Sequence, residues 1–289
     1  MYPLDIHSWG GLGSQLYALA VAHEAQSRFP TRSIRLVVHS GGITHRRNEL
    51  SEISSDFNVI EKDDFSGGVS HQTRSQIDVS SNLVIRARMG FKSWLRFSGV
   101  LASANTQEEF TRIKPWVKTL RGHYSNLDYS LPSLKYVVDK LNSYESQIIS
   151  DFQKQEFHAI HYRLGDLITH ANKPNIELAR LGKVIGESKI NTNDDPVLVF
   201  SDSPSEALRR LDGFIDSKRM IYVESNTHEV LALISRSKTF LGTNSKISVW
   251  GAILKDLCGD TNDVHLPQEI RHHLSCLSAL NGFNQINFY

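Results

Sequence analysis

From residue 157 onward the chain alternates short apolar runs with helix-spaced amphipathic stretches, and this alternation limits the fold more than any other feature. Strand-length runs lie at 157–162, 197–201, 219–223, 238–242 and 264–266, with helical patterns at 176–188, 204–212, 227–236 and 246–257 between them. Strands joined through helices pair in parallel, because a tight hairpin cannot connect parallel neighbours. The second half is therefore expected to be α/β, a doubly wound parallel sheet with helices on its faces.

The N-terminal region starts the same way. Leu4 to Ser8 has the length of a strand, Gln15 to Arg28 has helical apolar spacing that ends near Pro30, and Ile34 to Val38 is a second apolar run. Residues 40–82 are polar, with Gly41-Gly42 and Gly67-Gly68, and carry little periodicity. One long amphipathic helix is expected over Ser133 to Gln155. A chain of 289 residues exceeds the size at which one core stops growing, so two domains are expected. Their boundary falls within 125–156 and is placed between 140 and 141.

Charge excludes some partners. With 32 Lys plus Arg against 31 Asp plus Glu, the net charge of +1 provides no global attraction for nucleic acid or an acidic membrane, so any anion site must be local. Cys258 and Cys276 lie close in sequence without the clustered spacing of a zinc site or a secreted disulfide framework, which suits a reducing compartment and leaves a disulfide between the two open. The start, Met1-Tyr2-Pro3-Leu4-Asp5, has no basic and apolar signal pattern, and the apolar run Leu16 to Ala22 is too short to span a bilayer. The expectation is a soluble, cytoplasmic chain. Arg86, Arg88, Lys92, Trp94, Arg96 and Phe97 form a basic segment with interleaved aromatics. It is either a solvated face or a peripheral contact to an anionic membrane carrying a lipid-linked acceptor.

Four segments carry candidate chemistry. His161-Tyr162-Arg163-Leu164-Gly165-Asp166 closes a strand, and ligands of open α/β sheets bind outside the carboxyl ends of strands. An arginine there can grip a phosphate with paired hydrogen bonds. Gly10-Gly11-Leu12-Gly13-Ser14-Gln15-Leu16 joins a strand to a helix, where glycines permit close backbone approach and free N–H groups can receive an anion. The dinucleotide pattern is not met, since Leu16 stands at the third glycine position and His39-Ser40 replace the acidic residue after the second strand. Phe200-Ser201-Asp202 ends another strand, and Asp202 either accepts from a guanine or ribose or caps the helix starting at Pro204. Asn244-Ser245-Lys246-Ile247-Ser248-Val249-Trp250-Gly251-Ala252 begins a helix with hydroxyls and amides suited to a phosphate, with Trp250 read as core.

In this order and spacing, the segments resemble the bacterial α1,2-fucosyltransferases of glycosyltransferase family eleven, within the wider α1,2/α1,6/protein O-fucosyltransferase group. Gly10 to Tyr17 is similar to that family's Gly-Gly-Leu-Gly-Asn-Gln-Leu/Met-Phe, and His161 to Asp166 to His-x-Arg-Arg-Gly-Asp. Phe200 to Asp202 matches Phe-Ser-Asp, and Asn244 to Ala252 is similar to Asn-Ser-x-Phe-Ser-Trp-Trp-Gly-Ala. The resemblance implies a GT-B architecture, two Rossmann-like domains facing a cleft: residues 1–140 on the acceptor side and 141–289 binding the GDP-sugar. It implies inverting transfer of L-fucose from GDP-fucose to a galactoside hydroxyl, without a required metal or other cofactor, in surface polysaccharide synthesis. By the same resemblance Arg163 binds the β-phosphate, His161 lies near the nucleotide and Asp202 contacts guanosine. Asn244, Ser245 and Ser248 line the pyrophosphate and fucose, while Gly11, Gly13 and Gln15 form a wall near the transferred sugar.

Elementary chemistry agrees with a phosphate grip at Arg163. Cleavage of a sugar–phosphate bond builds negative charge on the departing phosphate, and fixed donors aimed there favour the transition state. A Mg²⁺ site would need clustered carboxylates, and the acidic pairs Asp63-Asp64 and Asp194-Asp195 sit in polar, loop-like sequence. For the base that takes the acceptor's proton, Asp166, His170, Asp5 and His7 are candidates, with Asp166 placed first for its motif position; its other role is a salt bridge that orients Arg163. Leu164, Ser14 and Val249 depart from the family pattern, and alternation on extended backbone directs Leu164 into packing. Two other readings stay open: a catalytically silent GDP- or glycan-binding homologue, and a transferase using another GDP-deoxyhexose.

Overall fold

The computed structural model describes residues 2–40, 46–53, 56–62, 94, 98–164, 178–258, 263–273, 280 and 286–289. The chain divides into two compact units, Met1–Lys140 and Leu141–Tyr289.

The first unit is built on five strands: β1 (Leu4–Trp9), β2 (Ile34–His39), β3 (Asn58–Lys62), β4 (Leu101–Ser103) and β5 (Thr119–Arg121). They pair in the order β3-β2-β1-β5-β4, and every pairing is parallel. Helix α1 (Leu12–Arg28) connects β1 to β2 and packs on both. It buries Leu16 through Ala22 without interruption, so small alanines alternate with large side chains to let the helix be covered on several faces. At the far end of the sheet Arg32, almost wholly buried, donates to the carbonyls of Tyr2, Pro3, Pro115 and Val117. Four otherwise orphaned backbone acceptors are satisfied by one guanidinium, which holds the start of β1 against the approach to β5. The short helix α2 (Gln107–Thr111) follows β4 and is capped by Thr106, whose hydroxyl accepts from Glu109 N.

The second unit holds β6 (His158–His161), β7 (Val197–Phe200), β8 (Met220–Tyr222), β9 (Phe240–Gly242), β10 (Val264–Leu266) and β11 (Ile286–Phe288). Their spatial order is β8-β7-β6-β9-β10-β11, all parallel, which is the strand order of the Rossmann fold. Helices α5 (Leu178–Glu187), α6 (Pro204–Leu211), α7 (Thr227–Arg236) and α8 (Lys246–Leu257) supply the crossovers. The α7 start carries a full capping box, Asn226 with Glu229. Gly251 lets α7 and α8 meet closely: a Cβ there would stand 2.8 Å from Ile234 Cγ2. The fold class expected from the sequence, α/β with two Rossmann-like parallel-sheet domains, is what the chain adopts.

In both sheets the strand order reverses once. The chain winds from β6 outward through β7 to β8 and then returns to β9 on the other side of β6; likewise β5 returns beside β1. Such reversals splay the loops that follow the two central strands and leave a crevice at their carboxyl ends.

The expected long helix at 133–155 is two helices, α3 (Leu131–Asn142) and α4 (Gln147–Asp151). Ser146 breaks the run, because its hydroxyl accepts from Ile149 N and so begins a new helix in place of continuing the old one. Strands β3, β4, β5 and β11 carried no signal in the sequence. Three of them are only three residues long, and β3 is an edge strand whose Asn58, Glu61 and Lys62 are exposed, so no apolar alternation is needed there.

Candidate functional site

The carboxyl ends of β6, β7 and β9 bring the sequence-nominated residues of the second unit together. Past β6 the backbone continues extended: Tyr162 N donates to Phe200 O, Arg163 N to the Thr243 hydroxyl, and Leu164 N to Asp202 Oδ1. The Thr243 hydroxyl in turn donates to His161 O at 3.0 Å, and Thr243 N donates to the same carbonyl at 3.1 Å. The turns after three different strands are thus stitched to one another through side chains, which fixes where Arg163 emerges.

Leu164 is fully buried in an apolar cluster with Tyr162, Leu181, Leu211 and Leu241. A guanidinium could not occupy that place without an unpaired buried charge. Arg163, on the opposite face of the extended segment, is half-buried at the sheet edge. Asp202 is exposed and uses one oxygen to hold the Leu164 amide at 2.9 Å. The helix that follows has Ser203 at its N-cap without a side-chain cap bond, so Asp202 joins turns and does not cap α6.

His161 ends β6 with Nδ1 2.9 Å from the Ser248 hydroxyl on the first turn of α8. Burial, reinforced by the positive charge of Arg163 and opposed by Asp202, pushes the imidazole down to about 4, so the ring is neutral at pH 7. Ser248 can sit so near because residue 242 is glycine: a Cβ there would lie 2.6 Å from Ser248 Cβ and 2.8 Å from Leu266 Cδ2. Ser245 caps α8, its hydroxyl accepting from Ile247 N at 3.2 Å. Asn244 is half-buried in the same turn. Lys246, the first residue of α8, is also half-buried, and burial together with the neighbouring Arg163 charge lowers its ammonium to about 8. Trp250 and Val249 are completely buried, as core positions should be.

The Gly-rich turn of the first unit is built differently from a vacant anion cradle. Gly10 adopts φ +94°, a backbone conformation that L side chains rarely reach. The first amide of α1, Leu12 N, donates to Glu49 Oε2 at 2.7 Å, so a carboxylate of the protein already satisfies the helix start. Gln15 is fully buried; its amide nitrogen donates to Gly10 O and Arg47 O, and its oxygen accepts from Glu49 N and Leu50 N. All four of its hydrogen-bonding positions are spent on backbone. Gln15 therefore shapes the turn through its links to the 46–50 segment, and Gly11 and Gly13 lie beside that bracket as the N-cap and second residue of α1.

Among the base candidates, Asp5 is held by Arg35 through two bonds of 2.6 and 2.9 Å near the start of β1, away from the carboxyl edge. His7 is buried, with Nδ1 2.7 Å from His39 Nε2 and its ring stacked against His39. Asp166 and His170 lie outside the described residues, as do Asp63, Asp64 and all of the basic 86–97 segment except Trp94, which is exposed. Asp195 stands at the opposite, amino end of β7, where it accepts from Lys238 Nζ at 2.9 Å. No group of three or more His, Cys, Asp or Glu suited to a metal occurs among the described residues. No helix among them is long and apolar enough to cross a membrane. Thr243, Lys246 and Glu49 were not nominated from the sequence. The first two lie within or beside a nominated segment, whereas Glu49 falls in the polar stretch that carries no pattern.

Two all-parallel α/β units, one in Rossmann order with polar and charged residues collected at its strand-order reversal, define the class of this protein. No protein-family model matches the sequence, and no curated protein matches it. Among solved structures the chain is similar to Escherichia coli heptosyltransferase WaaC with ADP, at 12% identity over 99% of this chain and 92% of that one, TM-score 0.46. It is also similar to a mutant of Arabidopsis thaliana FUT1 in complex with GDP, at 11% identity over 89% of this chain and 69% of that one, TM-score 0.43. A third is the family 9 glycosyl transferase from Veillonella parvula, at 8% identity over 92% and 81%, TM-score 0.44. Likenesses this distant carry no argument about activity.

Proposed function

We propose that this chain is a glycosyltransferase of GT-B architecture that transfers L-fucose from GDP-fucose to a galactoside hydroxyl, with inversion and an α1,2 linkage. The observation that carries the reading is the gathering of His161, Arg163, Asp202 and the Asn244–Ser248 helix start at the β6/β9 strand-order reversal. Those are the residues through which the sequence resembles family eleven fucosyltransferases, and the crevice at a reversal is where an open α/β sheet accepts a nucleotide.

In this reading the acceptor oxygen attacks the anomeric carbon of fucose, and the carbon–oxygen bond to the β-phosphate breaks. GDP leaves with the bonding electron pair, and the acceptor proton passes to a base, for which Asp166 is the first candidate, or to solvent. Arg163 and the amino end of α8 face the charge that grows on the phosphate, and they need no reorganisation as it develops. Neutral His161 acts as a hydrogen-bonding group and not as a cation. Nothing in this sequence of steps requires a metal. The physiological setting proposed is synthesis of a surface polysaccharide at the cytoplasmic side of a membrane.

The test is release of nucleotide from GDP-fucose, GDP-mannose and UDP-galactose, each with and without a panel of galactosides, followed by linkage analysis of any product. Fucosylated product formed from GDP-fucose alone among the donors supports the reading. Turnover of a different GDP-sugar would move the activity to another deoxyhexose or hexose. Binding of GDP with no turnover on any pair would make the chain a silent nucleotide- or glycan-binding protein.

A further inference from the structure

We propose that the Tyr289 hydroxyl is a positioning group for the phosphate-facing turn after β9, where it stands in for a backbone amide that the sheet lacks. This rests on the reading of the β6/β9 edge as a nucleotide-diphosphate site.

The missing donor follows from one residue. In a parallel pair, a carbonyl facing its neighbour accepts from the amide one position beyond its register partner. His161 stands opposite Gly242, and Thr243 N accordingly donates to His161 O. On the other side of β9, Phe240 stands opposite Val264 and Leu241 opposite His265. The same register carries Gly242 to Leu266 and assigns Gly242 O to the amide of residue 267. That residue is Pro267, which has no N–H. Gly242 is buried, and a buried carbonyl without a donor is costly. The Tyr289 hydroxyl, 47 positions away in the chain, donates to it at 2.9 Å. Burial pushes this phenol above its usual range, so it stays protonated, and a donor, at pH 7 and well above.

Both sides of one peptide unit are thereby held: the Gly242 carbonyl by Tyr289, and the Thr243 amide by His161 O at 3.1 Å. This unit is the joint between β9 and the Asn244–Ser248 helix start, and glycine at 242 would otherwise leave it freer to turn than any other residue. Its orientation sets that of Thr243, whose hydroxyl bonds Arg163 N and His161 O, and of Ser245, which caps α8. Tyr289 is itself fixed. Its amide donates to Leu266 O at 3.0 Å, and its carbonyl accepts from Gln268 N and from Arg180. Its ring packs on the apolar cluster that contains Leu164 and Leu241. The residue after β11 thus aims the amino end of α8 by acting through the turn, and a turn ordered beforehand need not be ordered when an anion binds.

The test is calorimetric binding of GDP, inorganic pyrophosphate and guanosine to the full chain and to Tyr289→Phe, which removes the donor and keeps the ring; both are checked for a cooperative thermal transition. Tyr289→Phe should weaken GDP and pyrophosphate about 3- to 10-fold, the worth of one neutral hydrogen bond now met at binding, and leave guanosine within about twofold. Hydrogen exchange at the Thr243 amide should quicken, while the Ala159 and Val197 amides of the same sheet keep their protection. A hydroxyl that only stabilises the unit would speed all three amides together and weaken guanosine as much as GDP. Either result overturns this inference and leaves the site reading intact, as does unchanged diphosphate affinity. Should Tyr289→Phe fail to fold, the Cζ resonance of Tyr289 in the unmodified chain, which senses the hydroxyl's hydrogen bond, decides the matter. Because linkage is reciprocal, pyrophosphate should shift that resonance and guanosine should not; indifference to pyrophosphate overturns the inference. If the unmodified chain binds neither GDP nor pyrophosphate, the site reading fails and this inference with it.

Discussion

The His161 ring and the Ser248 hydroxyl are 87 positions apart in the chain and 2.9 Å apart in space, joining the end of β6 to the first turn of α8. This contact exists because Gly242 has no side chain to hold the helix off the sheet.

His161 should remain neutral far below the usual range for histidine. Its proton affinity is lowered by burial first and by Arg163 second, so the folded chain binds fewer protons here than the unfolded chain between about pH 6.5 and about 4. The contribution of this residue to stability therefore declines as pH falls from about 6.5 towards 4. Histidine Cε1 proton resonances assigned by a His161→Asn variant should show a midpoint near pH 4; a midpoint near 6.5 would contradict the burial argument.

Arg163→Ala should lower kcat/KM for sugar transfer by roughly one hundredfold or more, since a charge-assisted contact to a leaving phosphate is worth about 1.5–3 kcal/mol in binding and more in a preorganised site. The variant keeps the backbone amide bond to the Thr243 hydroxyl that ties this turn to the one after β9. A folded variant with unaltered kinetics would remove Arg163 from the phosphate.

Gln15→Leu should destabilise the first unit by about 2 kcal/mol or more, because it strands two buried amide donors and two carbonyl acceptors at once. Gln15→Glu should also destabilise. It can still accept from Glu49 N and Leu50 N but cannot donate to Gly10 O and Arg47 O, and it adds a carboxylate beside the turn that already holds Glu49. Urea unfolding of both variants measures the effect, and a loss under 0.5 kcal/mol, the scale of an ordinary surface change, would show that the bracket does not hold the turn.

Gly242→Ala should cost about 1–3 kcal/mol in the second unit, the usual penalty for overpacking a closed contact. The added methyl meets the Ser248 Cβ, so shortening Ser248 to alanine should not rescue it. Chemical denaturation of the single and double variants checks this. Near-native stability of the single variant would mean that α8 can shift away from β9 at little cost.

Much of the second unit was legible in the chain. Val197-Leu198-Val199-Phe200 and the helix starts at Pro204, Thr227 and Lys246 fall where the alternation of apolar runs and amphipathic spacing puts them, because buried parallel strands and their crossover helices leave strong local patterns. The position of Arg163 and Asp202 at strand ends followed from the same pattern, and so did the burial of Leu164 and Trp250. Edge strand β3 and the three-residue strands β4, β5 and β11 left no trace, since pairing with a neighbour and not local periodicity makes them strands.

Tertiary structure alone decided the rest. Strand order is set by which faces can be covered and by the handedness of crossovers, and only that order makes β6 and β9 neighbours and brings Arg163, Thr243 and Lys246 to one edge. Glu49 at the start of α1 and Gln15 bound to four backbone groups are contacts over more than thirty positions, invisible to any local window. The sequence by itself determined the α/β class and the residue types available for holding a phosphate; the packing of one sheet determined which of them share a site, because that depends on long-range contacts and the proton affinities those contacts perturb.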